Sequence, residues 1–181
     1  MKIEINKPGP RAFYDEIVFI LINNSKIRNN PTKPAKTMTG FMATRIIGYF
    51  LVAMVALYLA ISKQDMIYMA IFGALLVAVV AVFITYRHSR KQVYELMDDV
   101  SPKTVEIDEK GIAYTENAME LRYDWSDISC IILNKNSFAV LPKDKMKAMI
   151  FISTEYKDQV LQGLKEADHA YLLEDNVTKE K

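Results

Sequence analysis

The chain has 181 residues, 51% hydrophobic and 25% charged, with a net charge of +1; that balance argues against a basic nucleic-acid binder. A single cysteine, Cys130, excludes an internal disulfide and a cysteine-built metal framework. The near-zero balance hides a segregation of charge: residues 1–45 carry eight Lys/Arg against three Asp/Glu, residues 46–86 one of each, and residues 87–181 fourteen against eighteen.

The opening "MKIEIN" alternates polar and apolar residues, with Ile3 and Ile5 on one face of a short strand. Pro8, Gly9 and Pro10 end it, and the charges and prolines of residues 1–12 do not make a signal peptide. "RAFYDEIVFILINNSK" predicts a helix from Arg11 to Asn23, apolar around most of its later circumference, to be buried against protein or laid on a bilayer. "RNNPTKPAKTMT" then reads as a basic linker broken by Pro31 and Pro34. Residues 1–40 are thus a cytoplasmic strand, helix and linker.

Two apolar runs follow, at 41–62 and 66–86, separated by a tip around Lys63, Gln64 and Asp65. The second, "MIYMAIFGALLVAVVAVFITY", has 21 uncharged residues and as a helix spans about 31 Å, the thickness of a bilayer's hydrocarbon core. The first carries one charge, Arg45, near its start, where a long side chain reaches the headgroups. Helices of a soluble bundle show a polar stripe, and the second run has none. The pair is therefore read as a transmembrane helical hairpin. Lys26, Arg28, Lys33, Lys36 and Arg45 precede it and Arg87, Arg90 and Lys91 follow it, which by the positive-inside rule puts both termini in the cytoplasm. Ala53, Ala56 and Ala60 in the first helix, and Ala70, Gly73, Ala74, Ala78 and Ala81 in the second, allow close helix approach within the hairpin or in a homo-oligomer. No ionisable group lies in mid-span to carry ions or protons.

Residues 87–102, "RHSRKQVYELMDDVSP", read as a juxtamembrane helix stopping before Pro102. From 103 to 168 the period changes to two. Six short antiparallel strands are expected in "KTVEID", "IAYT", "MELRYDW", "DISCIIL", "FAVL" and "AMIFIS", with Gly111 of "EKG" in a left-handed turn position. "TEYKDQVLQGLKEAD" is an amphipathic helix with Tyr156, Val160, Leu164 and Ala167 on one stripe and Thr154 as N-cap. Residues 169–181 are a frayed tail. The fold class is an α+β membrane protein: a two-helix hairpin plus a small, curled antiparallel half-barrel capped by its last helix.

In layout, and most specifically in "IDEKGIAYTENAMELRYDWSDISCIIL", the chain resembles the YcxB-like bacterial membrane proteins, whose C-terminal domain is related to bacterial pleckstrin-homology-like (PH-like) modules. It departs from them in having no proline before the last helix, in "MIFISTEY". The resemblance implies a bacterial cytoplasmic membrane location and brings no catalytic residue.

Trp125 is expected to anchor the core against the last helix, and Asp124 and Asp127 to be solvated. His88 and His169 are far apart in sequence, and no nucleophile–base set, metal spacing or phosphate loop occurs, so neither an enzyme nor a cofactor is expected. PH-like modules suggest phosphoinositide binding, but the "DEKG" hairpin sets two acids against one lysine, and residues 103–168 hold nine basic and twelve acidic groups. Candidate headgroup contacts are Arg45, Arg87, His88, Arg90, Lys91, Lys143, Lys145 and Lys147. The expected partners are the bilayer and one protein, without nucleic acid. The function expected is a membrane-tethered interaction or regulatory module without catalysis. The alternatives are an immunity or protection protein against a membrane-targeted toxin or bacteriocin, and a lipid-headgroup-binding accessory protein.

Overall fold

The computed structural model describes residues 1–33, 35–98, 101–117 and 119–177. The predicted breaker Pro34, residues 99–100 of the juxtamembrane segment, Ala118 of the "ENA" turn and the last four tail residues lie outside that set. The chain forms two compact units, residues 36–94 and the remainder.

In the first unit, α3 (Met38–Lys63) and the start of α4 (Met66–Asp98) make the hairpin, following α1 (Arg11–Ile22) and the short α2 (Asn24–Asn29). Both α3 and α4 are long and apolar enough to cross a membrane. Thr37 caps α3 by accepting from the Gly40 N–H at 3.3 Å. Gln64 turns the chain in the left-handed region at φ 51°, and the Asp65 carboxylate accepts from the Ile67 N–H at 2.8 Å. The tip is thus tighter than the sequence suggested, with Lys63 still helical. On α3, Ala53, Ala56 and Ala60 are buried. On α4, Tyr68, Phe72, Leu75, Ala78, Val79, Val82 and Tyr86 are half-buried, most of them large. The other small residues of α4, Ala70, Gly73, Ala74 and Ala81, are exposed. Ala56→Phe is expected to lower the melting temperature of the detergent-solubilised chain, the overpacking costing about 1–3 kcal/mol.

The second unit, the α/β unit, is α+β in class, its sheets mostly antiparallel. β1 (Lys2–Ile5), β2 (Lys103–Ile107), β3 (Gly111–Glu116) and β4 (Met119–Asp124) form one antiparallel sheet in that order. A 3₁₀ turn at Trp125–Asp127 leads into a second sheet of β5 (Ile128–Leu133), β6 (Ser137–Pro142), β7 (Ile150–Ser153) and β8 (Leu173–Asp175), ordered β7-β6-β5-β8. The expected single curled sheet of six strands is corrected to eight strands in two sheets among the described residues, without closure into a barrel. The two extra strands come from the ends of the chain. β1 pairs with β2, Ile3 opposite Val105, and β8 runs parallel to β5, so the tail is not frayed over residues 173–175. The "MELRYDW" strand stops one residue early because Trp125 opens the turn between sheets.

The core joins both sheets and α5 (Lys157–Glu166): Val105, Ile107, Ile112, Ile131, Phe138 and Ile152 meet Val160 and Leu164. The predicted stripe of the last helix is therefore the buried one, although Thr154 does not cap it: Thr154 opens a separate 3₁₀ turn, Thr154–Tyr156, which Ser153 caps by accepting from the Glu155 N–H at 3.3 Å. β6 is buried at all six residues because its other face lies under α1. α1 in turn buries Phe13 to Ile20 without interruption, which resolves its apolar circumference as protein contact. It carries a buried carboxylate, Glu16, whose Oε2 accepts from the Asn136 N–H at 3.0 Å. The linker is tied down too: the Asn176 side chain donates to Pro31 O and Lys33 O, at 2.9 and 3.2 Å.

Candidate functional site

The candidate cations fall into two groups on different units. Arg87, His88, Arg90 and Lys91 are exposed on successive turns of α4, and Arg45 near the start of α3 sits 4.2 Å from the centre of the Phe41 ring. Lys143, Lys145 and Lys147 share the exposed loop between β6 and β7, with Met146 92% exposed among them. Lys147 is engaged: its ammonium lies 2.9 Å from the Asp127 carboxylate, which holds its pKa above the ordinary lysine value. Asp127 is thus half of an ion pair rather than a freely solvated acid.

Arg28 organises this loop, a role invisible in sequence because it links positions more than a hundred residues apart. Its Nε donates to Asn24 Oδ1 at 2.6 Å, and its terminal nitrogens to the carbonyls of Pro142, Asp144 and Lys147 at 2.6, 3.4 and 3.2 Å. Among the described residues no carboxylate pairs with it. A guanidinium suits this task because its fork of donors reaches several carbonyls at once.

Beside that clamp the α/β unit contains a cleft of about 400 Å³, bounded by α1, by β3 and β4 at one sheet's edge, and by β7 at the other's. Its walls are mostly apolar, including Phe13, Ile17 and Leu21 of α1 with Leu121, Ile150 and Phe151 of the strands. One side carries a polar knot: Glu116 receives hydrogen bonds from Ser101 and Tyr114, both at 2.9 Å, and pairs with Lys103 at 2.9 Å. Tyr123 donates to Ala148 O at 2.8 Å, bridging the β4 edge and the segment before β7. This cleft is not legible in the sequence. Its residues come from α1, α2, the end of α4, five strands and the loops between them and share no motif, although the wholly apolar second half of α1 is a signal that this helix covers something.

The remaining singled-out residues are structural. Trp125, 8% exposed, donates from Nε1 to Asp108 O at 3.0 Å and stacks on His169 with ring centres 4.3 Å apart. His169 is thus a core-edge residue rather than part of a loose tail. Burial pushes the Cys130 thiol pKa up, as for a half-buried small hydrophobe. Arg122 pairs with Asp108 at 2.7 Å. That hydrogen bond, aided by the Lys110 and Gly111 N–H groups, holds the Asp108 carboxyl below its ordinary value. A lowered folded-state pKa contributes stability above the unfolded value, near 3.9, and loses it as pH falls through the folded one. Unfolding midpoints are accordingly expected to fall below about pH 4 by an amount that Asp108→Asn reduces.

Comparison of the chain with family models, with curated proteins and with solved structures gave no match.

Proposed function

We propose that the chain is an integral protein of a bacterial cytoplasmic membrane, with both termini in the cytoplasm, in which the hairpin tethers a PH-like α/β module that holds a protein partner at the bilayer without catalysis. The observation that carries this reading is the outward surface of the hairpin. Phe50, Val77 and Phe83 are 54%, 70% and 55% exposed, and from Ile46 to Tyr86 the only ionisable groups of Lys, Arg, Asp or Glu are those at the tip. A belt of that extent cannot stay in water, and lipid is the solvent that suits it. The resemblance to YcxB-like proteins supports the same layout. The partner-holding role is supported by the free sides of β4 and β7, each paired on one side only, since a sheet edge accepts an added strand.

The headgroup-binding reading has one specific observation in its favour, the exposed Lys143, Lys145 and Met146 on one loop. Cations near an anionic surface contribute about 1 kcal/mol each.

Photo-crosslinking in living cells tests the tether. A photoreactive residue at Met119 or Phe151 is expected to give a discrete protein adduct in the membrane fraction. Adducts formed only from Ile47 or Val77, within the spans, would instead favour the immunity-type reading.

A further inference from the structure

We propose that the cleft beneath α1 binds one acyl chain bearing an anionic head. Three observations converge on that ligand class. The first is size: about 400 Å³ lies at the lower end of the range for small-molecule sites. The second is shape. Phe13 and Leu21 both line it, and the eight-residue step between them on a helix is about 12 Å, so the cleft is a slot that suits a chain better than a compact ring. The third is charge. The lining includes Lys7, Arg28, Lys103 and Lys147 against one carboxylate, Glu116. Glu116 compensates Lys103 and Asp127 compensates Lys147. That leaves Lys7, with no ion-pair partner among the described residues, and Arg28, bonded only to an amide oxygen and main-chain carbonyls. Two uncompensated cations beside an apolar slot favour an anion with a tail. The lining residues Leu21 and Met119 are 49% and 62% exposed, so the entrance is itself apolar and can take a chain from lipid.

The cleft belongs wholly to the α/β unit, so labelling can separate it from contact of the spans with lipid. Full-length protein in phosphatidylcholine nanodiscs is irradiated with a diazirine-bearing fatty acid, with the corresponding neutral alcohol, or with a diazirine-bearing phosphatidylglycerol, and labelled peptides are mapped by mass spectrometry. The expected result is labelling by the anionic probes of peptides containing Leu21, Leu121 or Met149, in addition to any within 46–86. Stronger labelling by the free acid identifies a fatty acid as the source, and stronger labelling by the glycerolipid a membrane lipid.

Ala148 is exposed and lines the slot, so Ala148→Phe is expected to remove the cleft labels while leaving those in the spans. Leu21→Trp is the second blocking variant should the first fail to fold. Lys7→Glu is expected to weaken labelling by the acid roughly two- to five-fold and leave the alcohol unchanged. Labels confined to 46–86, equal labelling by acid and alcohol, or full cleft labelling in a folded blocking variant would each overturn the proposal.

Discussion

Replacing Gly111 by alanine is expected to destabilise the α/β unit by about 3 kcal/mol or more, enough to leave much of it unfolded. The reason is proximity rather than backbone conformation. No glycine in the described chain has a positive φ, so the left-handed position expected for Gly111 is corrected. Instead, a Cβ at 111 would stand 2.0 Å from Tyr123 O and under 3 Å from two further main-chain atoms of β4. Main chain cannot swing aside as a flexible side chain can, and β3 is registered there, Gly111 opposite Asp124. The clash would part β3 from β4 and pull at the Asp108 turn, whose carboxylate accepts from the Lys110 and Gly111 N–H groups at 2.8 and 3.0 Å. Gly73→Ala is the control: its Cβ would meet nothing within 4 Å, and in a helix interior the change is expected to stabilise by about 0.5–1 kcal/mol. Hydrogen exchange of the purified chain, read strand by strand, checks both. Protection of β3 and β4 unchanged in Gly111→Ala would count against the close approach.

Trp125→Ala is the second large effect, expected to cost about 3–5 kcal/mol. The indole closes the core where the first sheet hands over to the second, and it also engages the Asp108 carbonyl and the His169 ring. Trp125→Phe keeps much of the buried area but frees that carbonyl, so it should cost less, the part due to the hydrogen bond being about 1–3 kcal/mol. Trp125 is the only tryptophan, so its fluorescence is lost with it, and circular dichroism against denaturant is the suitable measurement. An Ala variant as stable as wild type would place the residue outside the core.

These two positions show what the sequence could and could not reveal. Wherever a period repeats, the elements were legible: the two apolar runs, the amphipathic stripe of Val160 and Leu164, and the alternation of Val105 and Ile107 all took the expected form. The size of Trp125 alone argues for the core, where the structure has it. The missed features depend on partners distant in the chain. Three residues of β8 are too few to show a period, and their parallel pairing with β5 leaves no hairpin turn to announce it. β1 was readable as a strand, but nothing in "MKIEIN" says that it completes a sheet begun a hundred residues later. Likewise nothing in the sequence sets Arg28 apart from the other flanking cations, because the three carbonyls it binds lie more than a hundred residues away. The cleft was hidden for the same reason, being assembled by α1 and two sheet edges that the sequence does not place side by side.

The proposal of a membrane hairpin with its tip outside the cell is tested most directly by cysteine accessibility in intact cells, in a Cys130→Ser background. A cysteine at Lys63 is expected to react with a membrane-impermeant maleimide at once, and a cysteine at Lys145 only after the membrane is opened. Reaction at position 145 in sealed cells would contradict the topology, and release of the chain from membranes by alkaline carbonate would contradict the hairpin as a bilayer anchor.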